Sequence, residues 1–248
     1  MPEKKKTARP LVIGAGVAVA AALLGLVSYT ATKPEPRDAA STGSAATVEQ
    51  GPADETTQAL VKLARREAKD PLAQGRADAP VVLIEYADFR CGYCGKFARD
   101  TEPGLVKKYV EDGTLRIEWR NFPIFGAESE TAARAAWAAG QQGRFWQFHA
   151  AAYAEGAKEK GFGADRLDAL AREAGVKDLD RFRRDLDGEQ AHAAVKKDQD
   201  EAYSLGATST PSFLINGQPI AGAQSDAVFE QAVETAKAQE EKKARDAQ

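Results

Sequence analysis

Val81-Val82-Leu83-Ile84-Glu85-Tyr86-Ala87-Asp88-Phe89-Arg90-Cys91-Gly92-Tyr93-Cys94 is the stretch that decides the fold. It opens on an almost unbroken apolar, β-branched run of strand length, the pattern of a strand covered on both faces. A break at Asp88-Phe89-Arg90 follows, then two cysteines in Cys-x-x-Cys spacing. From Cys91 to about Glu111 the pattern is helical, with a kink or interruption expected at Pro103-Gly104. The first sulfur then stands at a helix N-terminus, where unpaired N–H groups and the macrodipole favour a thiolate. The second lies one turn on, within its reach. Cys91 is the expected attacking nucleophile and Cys94 the thiol that resolves a mixed disulfide. With no other cysteine in the chain, a short structural disulfide and half of a metal site are the readings left beside it.

Working outward, Leu115 to Phe122 reads as a second strand closed by Pro123. From about 128 to 205 the chain is helical in pattern, with Trp137, Trp146, Phe148 and Tyr153 at helical spacings and expected in a core. Strand character returns at Ser212 to Ile215, and Asn216-Gly217 before a short strand at Ile220 is a hairpin signal. Ser225 is expected to cap a last helix with Val228, Phe229 and Val233 turned inward. This order describes an α/β protein: a small mixed sheet, helices on both faces, and an all-helical insertion.

Two residues on these strands carry chemistry. Glu85 places a carboxyl on an apolar strand, costly to bury without a role, though a strand-edge Glu facing solvent has the same spacing. Thr210-Pro211 precedes the returning strand. A proline there is either an edge starter or, in a redox fold, a cis proline that turns Thr210 toward the dithiol, where an extended peptide can pair with it.

The N-terminus bears on compartment. Lys4, Lys5, Lys6 and Arg9 precede an uncharged run from Leu11 to Tyr29. A bilayer-crossing helix needs about 20 apolar residues. The small-x-small site of a cleaved signal is poor here, since Tyr29 would lie three before a cut after Ala31. The organisation expected is a basic cytoplasmic tail (1–9), a transmembrane signal-anchor (10–31) and a tether (32–70). The folded domain (71–248) follows, with its helical insertion at about 128–205, on the extracytoplasmic side; secretion after cleavage is the alternative. Within residues 32–70 a helical pattern runs from Asp54 to Lys69, expected as a docking helix or as an extension of the tether. The net charge of -3, with both signs interleaved, argues against a nucleic-acid partner. The two cysteines with His149 and His192 make a zinc set by count but lack ligand spacing, so no metal is expected.

The segment Glu85 to Cys94, with Thr210-Pro211 and Asn216-Gly217, resembles the thioredoxin-fold superfamily. The helical insertion, Asn121-Phe122-Pro123 and Gly143-Arg144-Phe145-Trp146-Gln147-Phe148-His149 resemble its DsbA-like branch, over roughly Asp70 to Ala236. The resemblance implies a thioredoxin sheet and catalytic residues Cys91, Cys94, Glu85 and Pro211, with Pro211 cis and Glu85 passing protons to and from Cys94. It implies no cofactor beyond the redox-active disulfide itself. The partners implied are reduced or unfolded exported proteins, contacted at Thr210 and Tyr93, and a membrane protein that resets the pair. One departure bears on direction. Strong oxidants of the branch carry Pro-His between the cysteines; Gly92-Tyr93, and Thr before the proline, look more like DsbC-type isomerases and reductases. Arg90 and Lys96 flank the pair as substitutes for the missing charge. Residues 32–70 are too short and polar for the dimerisation domain of such isomerases, so oxidase is the leading reading and isomerase or reductase the second. A non-enzymatic anchored binding module is the third.

Overall fold

The computed structural model describes residues 55–248; the basic tail, the expected membrane segment and the tether as far as 54 lie outside them. Among the described residues no helix is long and apolar enough to cross a membrane.

The centre of the molecule is the run that opened the sequence reading. It forms β2 (Val81–Ala87), buried at every position. Strand β3 (Leu115–Asn121), also buried throughout, lies parallel to it from Val81↔Leu115 to Ala87↔Asn121. On the other side, β4 (Ser212–Ile215) runs antiparallel, and β5 (Gln218–Ala221) pairs with β4. A two-residue strand, β1 (Ala73–Gln74), completes the order β1-β3-β2-β4-β5 on the outer edge of β3. It is too short to show any period in the sequence. The hairpin between β4 and β5 turns at Asn216 and Gly217, whose φ values of 44° and 82° suit a turn of type I′.

Parallel strands need a crossover, and the helix after the cysteines supplies it. Helix α2 (92–110) does not break at Pro103. Ordinary turns at Gly92–Lys96 and Glu102–Leu105 alternate with wide π turns at Phe97–Thr101 and Val106–Val110. Pro103 lies in the first turn of Glu102–Leu105, where its missing N–H falls between the π segments and the helix runs on. Together with the final helix α8 (Asp226–Asp246, in chain order below), α2 covers one face of the sheet. Val81, Leu83, Phe97, Phe213, Phe229 and Val233 meet there. Ser225 stands at the N-cap of that last helix without a side-chain hydrogen bond, and Val228 is exposed rather than inward.

The opposite face is covered in part by an element from before the sheet. Helix α1 (Glu55–Val61) is shorter than the sequence pattern suggested. Leu60, Leu63 and Ala64 pack against Val82, Ile84 and Tyr86. The chain then turns, Arg66 taking φ 50°, and the backbone N–H groups of Arg65 and Arg66 donate to Glu118 at 2.9 and 2.8 Å. Of the two sequence readings of this segment, the docking one holds: residues 55–66 are fastened to the sheet.

Glu118 is the hub of a buried charge network. On β3, Arg116 and Arg120 each donate to it at 2.8 Å, and Arg120 also reaches Glu201 at 3.2 Å. Burial raises the Glu118 carboxyl, but the bonds from Arg116 and Arg120 outweigh it and bring the pKa to about 2.

Between β3 and β4 stand helices α3 (Ala127–Gly140), α4 (Phe145–Tyr153), α5 (Ala164–Glu173), α6 (Leu179–Asp187) and α7 (Glu189–Ser204). Buried Ala132, Ala135, Ala136 and Ala139 on α3 let its neighbours approach closely, and Phe148, Leu170 and Phe182 fill the space between. Each such large side chain contributes about 1.5–3 kcal/mol by burial. Asp178 caps α6 by accepting from Arg181 N–H at 2.8 Å.

Candidate active site

Cys91 is the N-cap of α2. Its Sγ accepts from the Cys94 backbone N–H at 3.3 Å, so the helix end spends an orphan donor on sulfur. Both cysteines are free thiols. The Cys91 thiol falls to about 6, chiefly because the Cys94 thiol hydrogen-bonds to it. Desolvation opposes this, and the N–H groups of Cys94 and Tyr93 add to it. Cys94 is sealed from solvent, and burial first, then the hydrogen bond to Cys91, pushes its thiol well above the usual range. The two sulfurs differ as an attacking and a resolving thiol must. The Thr210–Pro211 peptide is cis, and the Thr210 carbonyl oxygen accepts from Cys91 Sγ at 3.2 Å.

Asp88 braces the loop between β2 and α2. Its carboxylate accepts from Arg90 N–H at 2.7 Å, Ile124 N–H at 2.7 Å and the Ser129 hydroxyl at 2.7 Å. Its carbonyl accepts from Cys91 N–H at 2.9 Å and the Tyr153 hydroxyl at 2.8 Å. The loop before Cys91 is thereby tied to the loop after β3 and to helices α3 and α4.

Glu85 lies behind the pair on the central strand, fully buried, and neither carboxyl oxygen has a hydrogen-bond partner. The solvent-facing alternative is excluded. Desolvation first, then the charges of Glu102 and Cys91, raise its carboxyl well above the ordinary range. A second buried acid, Glu102 on α2, accepts from Gln74 Nε2 at 2.9 Å and stands 3.7 Å from His149 Nδ1. Burial lifts Glu102 to about 8 and lowers His149 to about 3.

A family model described as thioredoxin matches residues 67–235. The chain belongs to the thioredoxin family. Its fold is that of the DsbA-like disulfide oxidoreductases within it, with the helical block between β3 and β4. The oxidised crystal structure of BdbD from Bacillus subtilis superposes with a TM-score of 0.63 at 23% identity, over 69% of this chain and 95% of that one. A probable disulfide bond formation protein D of Bacillus cereus is 32% identical over 58% of this chain and 68% of its own length. A Na(+)/H(+) antiporter NhaA 3 of Salinispora tropica is 34% identical over 58% of this chain, yet this chain spans only 21% of that protein.

Within this thioredoxin-family frame the residues singled out from sequence come together at one end of β2. Cys91, Cys94, Thr210 and Pro211 face one another, Glu85 lies beneath them, and Tyr93 projects at 68% exposure. The flanking cations are engaged elsewhere: Arg90 pairs with Glu128 at 3.2 Å and Lys96 with Asp100 at 2.8 Å. Sequence reasoning missed a different one. Lys158 Nζ stands 3.5 Å from where a Cβ on Gly92 would be, beside a 200 Å³ cavity that Cys91, Arg99, Tyr153 and Lys158 help to line. Their separation in sequence hides that. His149 lies beside Trp146 and is buried among Trp119, Trp146 and Tyr153. Among the described residues no cluster suits a metal ion.

Proposed function

We propose that this chain is an exported, membrane-anchored thiol–disulfide oxidoreductase that donates its Cys91–Cys94 disulfide to reduced extracytoplasmic proteins. The observation that carries the reading is the asymmetry of the two sulfurs: Cys91 at a helix cap with its thiol at about 6, Cys94 sealed behind it. A stabilised Cys91 thiolate makes the reduced form favourable, hence the disulfide oxidising.

In the forward reaction a substrate thiolate attacks Cys91 Sγ. The Cys91–Cys94 bond breaks, and Cys94 leaves with the electron pair and takes a proton from Glu85. A second substrate thiolate then attacks the substrate sulfur of the mixed disulfide and releases Cys91 as a thiolate. Two electrons pass from substrate to pair, which a membrane redox partner must reoxidise. Exposed Tyr93 and Phe125 offer apolar contact to an unfolded chain, and the backbone at Thr210 offers strand-like pairing.

Gly92-Tyr93 and Thr210 favour isomerase or reductase as the second reading. Equilibration of the pair against a glutathione series, beside oxidative refolding of a reduced protein, tests direction. Refolding activity with a potential well above the thioredoxin value of about −270 mV supports the oxidase reading, and a potential near that value overturns it.

A further inference from the structure

The 200 Å³ cavity beside the dithiol is lined by Cys91, Gly92, Gly95 and Arg99 of the first half of α2 and by Lys158 from the segment after α4. Thr210 and Pro211 do not line it, so it meets Cys91 apart from the backbone that offers strand pairing. Gly92 and Gly95 are three apart on one helix, which makes them surface neighbours about 5–6 Å from each other. With no side chain at either, the floor of the cavity is backbone, and two cations reach over it. Lys158 Nζ comes nearest to where a Gly92 Cβ would be, at 3.5 Å, and an Arg99 guanidinium nitrogen comes nearest to the Gly95 position, at 2.9 Å.

Neither cation is neutralised. The Arg99 guanidinium donates to the Tyr153 carbonyl oxygen at 2.7 Å, and among the described residues it has no carboxylate within ion-pair distance. The exposed Lys158 ammonium has neither a hydrogen bond nor an ion pair among them. In this they differ from Arg90 and Lys96, which are paired with Glu128 and Asp100. Two like charges over one turn of helix repel, and an anion between them relieves the repulsion. Glu155 and Glu159 line the same cavity, yet neither approaches the two glycine positions as closely as the cations do. The volume is below the roughly 300 Å³ at which pockets for whole small molecules begin, and it suits a single side chain.

We propose that this cavity is a substrate subsite for the carboxylate of a Glu or Asp next to the substrate cysteine, with Lys158 as the residue that selects it. The inference rests on the reading of Cys91 and Cys94 as an exchanging pair, and it names the substrates that the pair meets fastest: chains whose cysteines have acidic neighbours. The substrate thiolate bonds to Cys91 Sγ, and the Cys91–Cys94 bond breaks with its electron pair on Cys94. A second substrate thiolate then releases Cys91, so two thiols leave as one disulfide and two electrons reduce the pair. Lys158 takes no part in these transfers; it holds the neighbouring carboxylate while the sulfurs react.

The test uses the oxidised full chain and two unstructured peptides, each with one cysteine flanked on both sides by Glu or by Lys. The readout is the ratio of the rate constants with which the Glu and the Lys peptide reduce the pair. A general change in the reactivity of the pair cancels in that ratio, and the peptides' own thiol ionisation cancels when variants are compared. Lys158→Ala is expected to lower the ratio about fivefold and Lys158→Glu to lower it further, both effects fading in about 1 M salt. Lys160→Glu makes the same change of charge outside the cavity and should leave the ratio within about twofold of the unaltered value. A ratio unmoved by Lys158→Glu, or moved as far by Lys160→Glu, overturns the proposal. An unaltered protein inert to dithiothreitol would refute the exchange reading beneath it, whereas one that reacts with dithiothreitol but shows no dependence on Lys158 refutes the subsite alone.

Discussion

The Cys91 thiol donates to the Thr210 carbonyl oxygen at 3.2 Å, joining the start of α2 to the loop before β4 across more than a hundred residues of chain. The bond favours the protonated thiol, because a thiolate has nothing to donate. The hydrogen bond from Cys94 and the N–H groups at the helix end pull the other way, and they prevail. The same carbonyl becomes free for another partner when Cys91 ionises or enters a mixed disulfide.

Substrate contact is expected to reside in the apolar rim. Tyr93 is 68% and Phe125 49% exposed beside the pair. Replacing both by Ala removes apolar burial of about 1.5 kcal/mol or more, so exchange with an unfolded protein slows roughly tenfold. Exchange with dithiothreitol stays unchanged. Parallel rate measurements with the two reductants separate these outcomes.

Reduced and oxidised chains are expected to respond differently to pH. In the reduced chain Cys91 titrates at about 6 when folded and near 9 when unfolded, so between those values the unfolded state binds more protons. That contribution is fully present above pH 9 and is lost as pH falls through 6. The oxidised chain has no such term. Thermal melts from pH 6 to 9 should show the reduced form gaining on the oxidised form as pH rises.

Removing Glu118 should be severe. Glu118→Ala leaves Arg116 and Arg120 buried without their shared carboxylate, at a cost of about 3–5 kcal/mol in urea melts. The native carboxylate, held at about 2, contributes stability above its ordinary value of 4.5 that fades as pH falls toward 2. Glu118→Ala should lack that acid limb.

The segment before the family domain should matter for folding. Gly217 has φ 82°, and a Cβ there would stand 2.8 Å from the Thr57 carbonyl oxygen of α1. Gly217→Ala should cost about 1–2 kcal/mol from φ alone and loosen α1 further. Deleting residues 55–66 uncovers Val82, Ile84 and Tyr86 and takes two donors from Glu118. Lower Tm in both variants checks this.

The sheet and the dithiol were legible because their signals are local: a buried strand, Cys-x-x-Cys, a proline before a strand, Asn-Gly. The role of β3 was half legible. Arg116, Glu118 and Arg120 alternate with apolar residues as on a strand with one wet face, yet that face is dry because Arg65, Asp198 and Glu201 arrive from distant segments to share the charge. Glu102 and His149 were hidden similarly. A single acid in a helix reads as surface until β1, too short for any pattern, brings Gln74 against it. Asp88 was quoted within a motif, but its bonds to Ile124, Ser129 and Tyr153 depend on the packed insertion.

Alkylation of the reduced full chain by iodoacetamide across pH, with the modified residue located by mass, tests the inequality of the two sulfurs most directly. The expected result is a single reactive thiol at Cys91, its rate rising with a midpoint at about 6, while Cys94 stays unmodified until the fold opens. Equal labelling of Cys91 and Cys94 with midpoints near 9, or two inert thiols, would contradict it.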